Sequence, residues 1–417
     1  MMLCAGCSRE KSSTQSRDQG NRSGENATGV GAEPTETAPA GASTEPGLGS
    51  AAPAPPIFRP AARMGKLVEA ASFGEYQPTG VAISRNGRIF VNFPLWSRNH
   101  QYSLAEVMKD GTLKPFPDES WNRWQQGDNP REHFVCVQSV YVDRDDMLWV
   151  LDPAGPNLGE VVSDGPKLVK VDLSNNRVAQ TIAFDETVAP KRSYLNDVRV
   201  DTQSNFAYIT ESGQGAIIVT DLKTGQSRRL LDKHPSTKAE KDLAITIHGQ
   251  QIKDSSGNPP QINADGIALD PQGQYLYYKA LTGKTLYRIK TSALQDVGIS
   301  EADLGKAVES LGQTMVSDGM IMDGGGQLYL TAMEQSGIVR YRPADKTMEL
   351  VAQDDKLMWP DSLAISPDNE LYVTDSQIQL MPRFSGGQDK HMSPYKLYRI
   401  TGLQVLPMPA MPVVGMR

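Results

Sequence analysis

Six positions along the chain carry a polar side chain just before a short run of alternating apolar residues. They recur at intervals of 59, 58, 69, 53 and 43 residues. The six residues are Thr79, Gln138, Asn196, Asp265, Asp318 and Asp361. Three carboxylates that face one cavity are unfavourable unless a cation, a metal ion or a shared proton compensates their charge. If the six positions converge, they predict a pocket for a cationic or hydroxyl-rich ligand. The alternative is that each carboxylate caps backbone N–H groups of neighbouring strands.

Each of these positions opens a pair of predicted strands. In the fourth unit, DGIALD at 265–270 is followed by a Gln272-Gly273 turn and by LYY at 276–278. The other five units have the same order, with Asn, Asp, Ser or Gly in the turn, as tight hairpins require. Paired strands that repeat at this interval are typical of propeller blades, with longer loops here. The sequence therefore predicts an all-β fold, a six-bladed β-propeller, whose innermost strands bring the six polar residues to the central channel.

The two ends of the repeat region are expected to meet. Residues 66–70 and 396–400 both have strand character, and we expect them to lie in one blade and close the ring. Closure removes exposed sheet edges, so a monomer is expected. Residues 300–311, which begin with Ser-Glu-Ala-Asp, resemble a capping box and predict a helix within a loop.

The N-terminal part of the chain has a different composition. Residues 8–56 are rich in Ser, Thr, Gly, Ala, Pro and Glu and contain no aromatic residue, which predicts a disordered tether before a propeller domain at 57–417. Residues 1–7 are similar to the end of a lipoprotein signal, with Cys7 as the lipidated residue. The expected location is therefore secreted or in the cell envelope. The alternative is a thiol with no role.

Composition excludes several classes of protein. The formal net charge of −7 argues against nucleic-acid binding, which needs clustered Lys and Arg. The sequence contains no run of eighteen apolar residues, so it predicts no membrane-spanning helix. A lipid anchor is therefore the expected contact with a membrane. The three cysteines, Cys4, Cys7 and Cys136, leave no pair that could staple the domain.

Several phrases of the sequence resemble the Yellow / major royal jelly protein family over about residues 66–402. They are VQSVYVD at 137–143, LWVLD at 148–152, SYLNDV at 193–198, DGIAL at 265–269 and TLYRI at 285–289. The resemblance implies a secreted six-bladed propeller, with members linked to amine binding, dopachrome isomerisation or nutrition. In the amine pocket of some relatives, Ser376 would replace an asparagine, Ile378 an aromatic residue and Asp361 a threonine. Arg383 and Phe384 are candidates for the rim of this pocket.

A related propeller superfamily, of the gluconolactonase type, binds a divalent metal through Glu, Asn and Asp. Asn196 and Asp265 occupy positions that match the Asn and the Asp, whereas Thr79 stands where the Glu would be. One carboxylate is a poor donor set for a hard cation such as calcium. Asn196 and Asp265 are therefore weak metal candidates.

No pairing of a nucleophile with a base is visible, since the five histidines are scattered outside the six positions. The function that the sequence favours is binding of a small polar or aromatic ligand in the central pocket, with a cationic ligand as one option. A metal-dependent lactone hydrolase, a dopachrome-type isomerase and a protein-interaction scaffold remain the alternatives.

Overall fold

The computed structural model describes residues 56–97, 99–406 and 408. Its strands, in chain order, are β1 (Ile57–Arg59), β2 (Lys66–Ser72), β3 (Val81–Ile83), β4 (Ile89–Asn92), β5 (Leu104–Val107), β6 (Leu113–Pro115), β7 (Ser139–Val142), β8 (Met147–Asp152), β9 (Lys167–Asp172), β10 (Arg177–Ala183), β11 (Leu195–Asp201), β12 (Phe206–Glu211), β13 (Ala216–Asp221), β14 (Ser227–Leu230), β15 (Thr246–Ile247), β16 (Gln250–Gln251), β17 (Ala264–Leu269), β18 (Tyr275–Ala280), β19 (Thr285–Lys290), β20 (Glu309–Gln313), β21 (Met320–Met322), β22 (Leu328–Ala332), β23 (Gly337–Arg342), β24 (Thr347–Gln353), β25 (Pro360–Ile365), β26 (Leu371–Asp375) and β27 (Lys396–Thr401). The helices are α1 (Thr291–Gln295) and α2 (Glu301–Lys306). The expected lipoprotein segment with Cys7, and the expected tether up to residue 55, lie outside the described residues.

These strands form six antiparallel sheets of the propeller type, which confirms the predicted fold. The blades consist of β3–β6, β7–β10, β11–β14, β17–β20, β21–β24, and β25–β27 with β2. The first strand of each blade contacts the first strand of the next, and β25 contacts β3, so the inner strands form a closed ring. The short hairpin β15–β16 follows blade 3 and precedes blade 4 in the chain. No helix of the described residues is long and apolar enough to cross a membrane.

The ring is tight because a small residue follows the polar residue in several blades. A Cβ atom at Gly319 would collide with the carbonyl oxygen of Asp361 in the next blade. A Cβ atom at Gly266 would lie 2.6 Å from the carbonyl oxygen of Asp318. Glycine at these positions lets neighbouring inner strands approach, which brings the polar residues before them close to the axis.

Ring closure is also as predicted. β2 pairs antiparallel with β27, with Lys66 opposite Thr401 and Ser72 opposite Lys396. β2 is thereby the outer strand of blade 6, whose other three strands come from the end of the chain. The strand β1 pairs in parallel with β24 at the outer edge of blade 5, with the side chains of Ile57 and Phe58 exposed.

The predicted helix at 300–311 is only partly correct. α2 begins as expected, because the Ser300 hydroxyl accepts a 3.1 Å hydrogen bond from the backbone N–H of Asp303. It ends at Lys306, and Glu309–Gln313 forms β20, which pairs with β19 and buries Leu311. The strand completes blade 4, and its tertiary pairing overrides local helix propensity.

Candidate functional site

A cavity of about 380 Å³ opens at one end of the central channel. Five of the six recurring polar residues line it. They are Gln138, Asn196, Asp265, Asp318 and Asp361. The three carboxyl groups are almost fully buried, with exposures of 4%, 6% and 4%. The cavity thus has a polar floor made of one residue from each of five blades.

Two of the floor carboxyl groups are hydrogen-bonded to each other. The pKa of Asp265 is raised well above its ordinary value by burial, then by the charge of Asp318 and by the hydrogen bond to it. Burial also raises the pKa of Asp318 to about 6, although hydrogen bonds from Trp359 and Asp265 oppose the rise. The Trp359 indole N–H donates to Asp318 Oδ2 at 2.6 Å. The pair therefore retains a shared proton at a pH at which two isolated carboxyl groups would both be ionised.

The third floor carboxyl group is held by two hydroxyls. Ser376 donates to Asp361 Oδ2 at 2.7 Å, and Ser362 donates to Asp361 Oδ1 at 3.1 Å. Burial and the charge of Asp318 nevertheless raise the pKa of Asp361 well above its ordinary value. Ser376 is fully buried and does not line the cavity, so it acts on the site by orienting Asp361.

A chain of hydrogen bonds orients the two floor amides. The Trp96 indole N–H donates to the Tyr194 hydroxyl at 2.9 Å, and that hydroxyl donates to Gln138 Oε1 at 2.9 Å. Gln138 Nε2 in turn donates to Asn196 Oδ1 at 3.0 Å. Within the described part of the chain, the Asn196 amide N–H groups have no hydrogen-bond acceptor, so they are free to donate to a ligand.

Thr79 is a correction to the sequence-based expectation, because it does not line the cavity. Its hydroxyl donates to the Gln138 carbonyl oxygen at 2.8 Å and accepts from Asn92 Nδ2 at 2.7 Å. Asn92 also donates to the Val137 carbonyl oxygen at 2.9 Å. The Thr79 side chain therefore links blade 1 to blade 2.

The walls and rim of the cavity combine aromatic and cationic side chains. Trp359, Ile378 and Phe384 are buried and line it, and Trp96 and Tyr194 contribute further aromatic surface. Two arginines, Arg192 and Arg383, also line the cavity, and both are exposed. Of the residues proposed from sequence for the pocket or its rim, Ile378, Arg383 and Phe384 thus reach the cavity.

The floor does not have the donor set of a metal site. Among the described residues there is no group of three or more His, Cys, Asp or Glu side chains arranged to hold a metal ion. Of the two weak candidates, Asn196 Oδ1 already accepts from Gln138, and Asp265 shares a hydrogen bond with Asp318. A calcium ion would have to break both contacts. The five histidines, all within the described residues, do not line the cavity.

Two functional residues missed by the sequence-based reasoning are Tyr194 and Trp359. Each lies two positions before a polar floor residue, Asn196 or Asp361. A strand places positions i and i+2 on the same face, so an aromatic residue at this offset points toward the same cavity. An aromatic residue two positions before a polar floor residue is therefore the sequence signal that could have identified Tyr194 and Trp359.

A smaller cavity of about 110 Å³ lies farther along the inner strands. It is mostly apolar, apart from a buried pair in which Arg199 Nη1 lies 2.8 Å from Asp197 Oδ1. The Asp197 carboxylate also contributes to the raised pKa values of the floor carboxyl groups above it.

Comparison with known proteins identifies related sequences. The family model described as major royal jelly protein matches residues 135–400. Major royal jelly protein 6 of Apis mellifera is 23% identical over 270 residues, which are 61% of this chain and 59% of that protein. Major royal jelly protein 7 of the same organism is 25% identical over 187 residues, 43% of this chain and 39% of that protein. The chain therefore spans about three-fifths or less of these relatives.

Solved structures share the architecture at low sequence identity. A luciferin-regenerating enzyme superimposes with a TM-score of 0.50 at 13% identity, covering 83% of this chain and 98% of that one. A gluconolactonase from Xanthomonas campestris gives a TM-score of 0.49 at 12% identity, covering 85% and 95%. At this identity, the first similarity shows the fold alone.

Proposed function

Because the chain belongs to the major royal jelly protein family, we propose that it is a binding protein that holds a small cationic molecule in the cavity of its propeller. The observation that carries the proposal is the set of three buried carboxyl groups on the cavity floor. Within the described part of the chain, none of the three forms an ion pair with a Lys, Arg or His side chain. The buried Lys279 side chain attracts Asp265 and Asp318 from a longer distance, but it donates its hydrogen bonds to the carbonyl oxygens of Gly283 and Met315. Within the described residues, the floor carboxyl groups therefore have no cation in direct contact with them.

An ammonium group fits this floor chemically. Its N–H donors match the acceptors of Asp318 and Asp361, and charge-assisted hydrogen bonds of this kind are stronger than neutral ones. The Trp359 indole beside Asp318 offers a π face and apolar contact to the body of the ligand. Polar substituents of the ligand would meet the free amide N–H groups of Asn196.

The test is calorimetric titration of phenethylamine and of its neutral analogue 2-phenylethanol at about pH 7.5. We expect the amine to bind more tightly than the alcohol, and Asp361→Asn to weaken the amine about tenfold or more, because a buried charge partner is lost. Asp368→Asn is the matched control, since Asp368 lies in an exposed turn of the same blade. Equal affinity of amine and alcohol, or an unchanged amine affinity in Asp361→Asn, would refute the proposal.

Export and lipidation at Cys7 stay predictions. Mass spectrometry of the native protein, isolated from its own host, is expected to show a lipid on Cys7. An unmodified Cys7 in membrane fractions would rule the anchor out.

A further inference from the structure

We propose that the ligand of this cavity carries a carboxylate at its outer end as well as an ammonium group at its inner end. This inference rests on the proposed function, because the ammonium group is what the floor is expected to bind. It adds a second recognition element at the mouth of the cavity. The ligand class is an aromatic or alkyl amino acid whose two charged groups are separated by the body of the molecule.

The first observation is that opposite charges lie at opposite ends of the cavity. The floor has the buried carboxyl groups of Asp265, Asp318 and Asp361. The exposed residues Arg192 and Arg383 line the same cavity. A ligand with a positive charge at one end has a favourable electrostatic environment only at the floor. A ligand with a positive charge at one end and a negative charge at the other has a favourable environment at both ends of the cavity.

The second observation is that the two arginines come from opposite sides of the ring. Arg192 precedes β11 in blade 3, and Arg383 follows β26 in blade 6. In a closed ring of six, blades 3 and 6 face each other across the axis. The two arginines therefore belong to segments on opposite sides of the cavity, and both are long enough to donate to a carboxylate held between them.

The third observation is that neither guanidinium group is already in use. Across the described residues, neither Arg192 nor Arg383 forms an ion pair or a side-chain hydrogen bond. Arg383 lies over the Phe384 ring, 5.8 Å from its centre, and Phe384 is buried in the cavity wall. The acidic residue at the rim, Asp254, is engaged by its own loop and accepts from the N–H groups of Ser256 and Asn258 at 2.8 and 2.9 Å. Asp254 keeps its negative charge, so two arginines and one aspartate give the rim a net charge of +1, with both guanidinium groups unpaired among the described residues.

The separation of the charges also predicts what the cavity rejects. An α-amino acid carries its ammonium and carboxylate groups on one carbon. If its ammonium group reached Asp318 and Asp361, its carboxylate would enter the same negative environment far from the arginines. Repulsion at the floor would therefore select against α-amino acids and in favour of molecules with terminal charges.

The experiment uses the full chain and a matched series of ligands. Phenethylamine, 4-(2-aminoethyl)benzoate and phenylalanine are titrated calorimetrically at low and at physiological salt. We expect the aminoethylbenzoate to bind about fivefold to tenfold more tightly than phenethylamine at low salt, with phenylalanine the weakest. The advantage is expected to shrink at higher salt, because the rim is solvent-exposed.

Variants assign the advantage to the two arginines. Arg192→Gln/Arg383→Gln is expected to remove the preference for the aminoethylbenzoate, measured as the ratio of its affinity to that of phenethylamine in the same variant. Arg177→Gln, an exposed arginine on the outer strand of blade 2, is the control. If phenethylamine binds and the added carboxylate brings no gain, this inference is overturned while the proposed function stands. If phenethylamine does not bind, both are overturned. If the gain persists in the double variant, the carboxylate is not held by these arginines.

Discussion

Asp265 and Asp318 share one proton at the floor of the cavity, and this makes the stability of the protein sensitive to pH. The pKa of Asp318 is raised to about 6, mainly by burial, above the value of about 4 in an unfolded chain. A carboxyl group of this kind stabilises the folded state below its unfolded pKa. The contribution is lost as the pH rises from about 4 through 6, because the folded state resists giving up the proton.

We therefore predict that Asp318→Asn stabilises the empty protein relative to wild type at pH 8, by an amount on the order of 1–3 kcal/mol, and much less at pH 4. The measurement is chemical unfolding of both proteins across this pH range. Asp375 also has a pKa raised by burial, to about 7, and remains in both proteins, so its effect cancels. A difference between the two proteins that does not change with pH would show that Asp318 does not titrate in this range.

The hydrogen bond from Trp359 gives a second prediction. Trp359→Phe keeps an aromatic ring but removes the donor that lowers the pKa of Asp318. We expect the free energy of unfolding to fall by about 1–3 kcal/mol, with a larger loss at pH 8 than at pH 5, because the lost bond is to the ionised carboxylate. Trp121→Phe is the control, since Trp121 packs on Phe134 away from the cavity. An equal, pH-independent loss in both variants would contradict the assignment.

The sequence predicted most of this floor because its polar residues recur at one position of each repeat. Gln138, Asn196, Asp265, Asp318 and Asp361 follow this rule, since equivalent strand starts converge in a ring. Thr79 breaks it, because its hydroxyl binds Asn92 and a backbone carbonyl oxygen. That outcome depends on contacts between blades, which periodicity does not encode. The tryptophan and tyrosine of the walls were missed because the pattern was read at the polar position alone.

At the scale of the blades, the sequence-based prediction of strands was most accurate where the local residue pattern and the pairing with a neighbouring strand favour the same structure. β2 and β27 both read as strands, and their pairing follows once a ring has to close. At residues 300–311 the two levels disagree: the capping box at Ser300 starts a helix, and pairing with β19 ends it. The sequence alone does not show how strongly a neighbouring strand competes for such a segment.

Blade 6 gives the prediction at this scale. Chains that begin at Pro56, Ala61 and Phe73 remove none, the first, or both of the strands β1 and β2. We expect the first two chains to melt within a few degrees of each other, because the side chains of β1 are largely exposed. The third chain is expected to melt far lower and to aggregate, because loss of β2 leaves β27 as an open edge.

Thermal melts with light scattering distinguish these cases. A peptide of residues 62–72 added to the shortest chain is expected to restore part of the lost stability. If the chain from Phe73 melts like the chain from Pro56, β2 does not hold the ring closed.

At the scale of the whole molecule, net charge affects how a ligand arrives. The chain carries a formal charge of −7, to which the carboxyl groups of the cavity floor contribute, while the two rim arginines oppose it locally. A negative field that focuses into a cleft raises the association rate of cations and is screened by salt. We predict that the association rate constant of phenethylamine falls several-fold between about 20 mM and 500 mM salt, whereas that of 2-phenylethanol changes little. Stopped-flow tryptophan fluorescence measures both, and equal salt dependence would contradict steering.

The pairing of β2 with β27 also determines when blade 6 can form during synthesis of the chain. β2 ends at Ser72 and its partner ends at Thr401, so the ribosome makes the first strand of blade 6 long before the other three. At roughly 5–20 residues per second, β2 waits on the order of 15–65 s for β27. During this interval five blades can assemble while the sixth has no sheet to join. Completion of the ring therefore has to wait until β27 has been made, and a nascent chain arrested before residue 396 would expose unpaired β2 to chaperones and proteases.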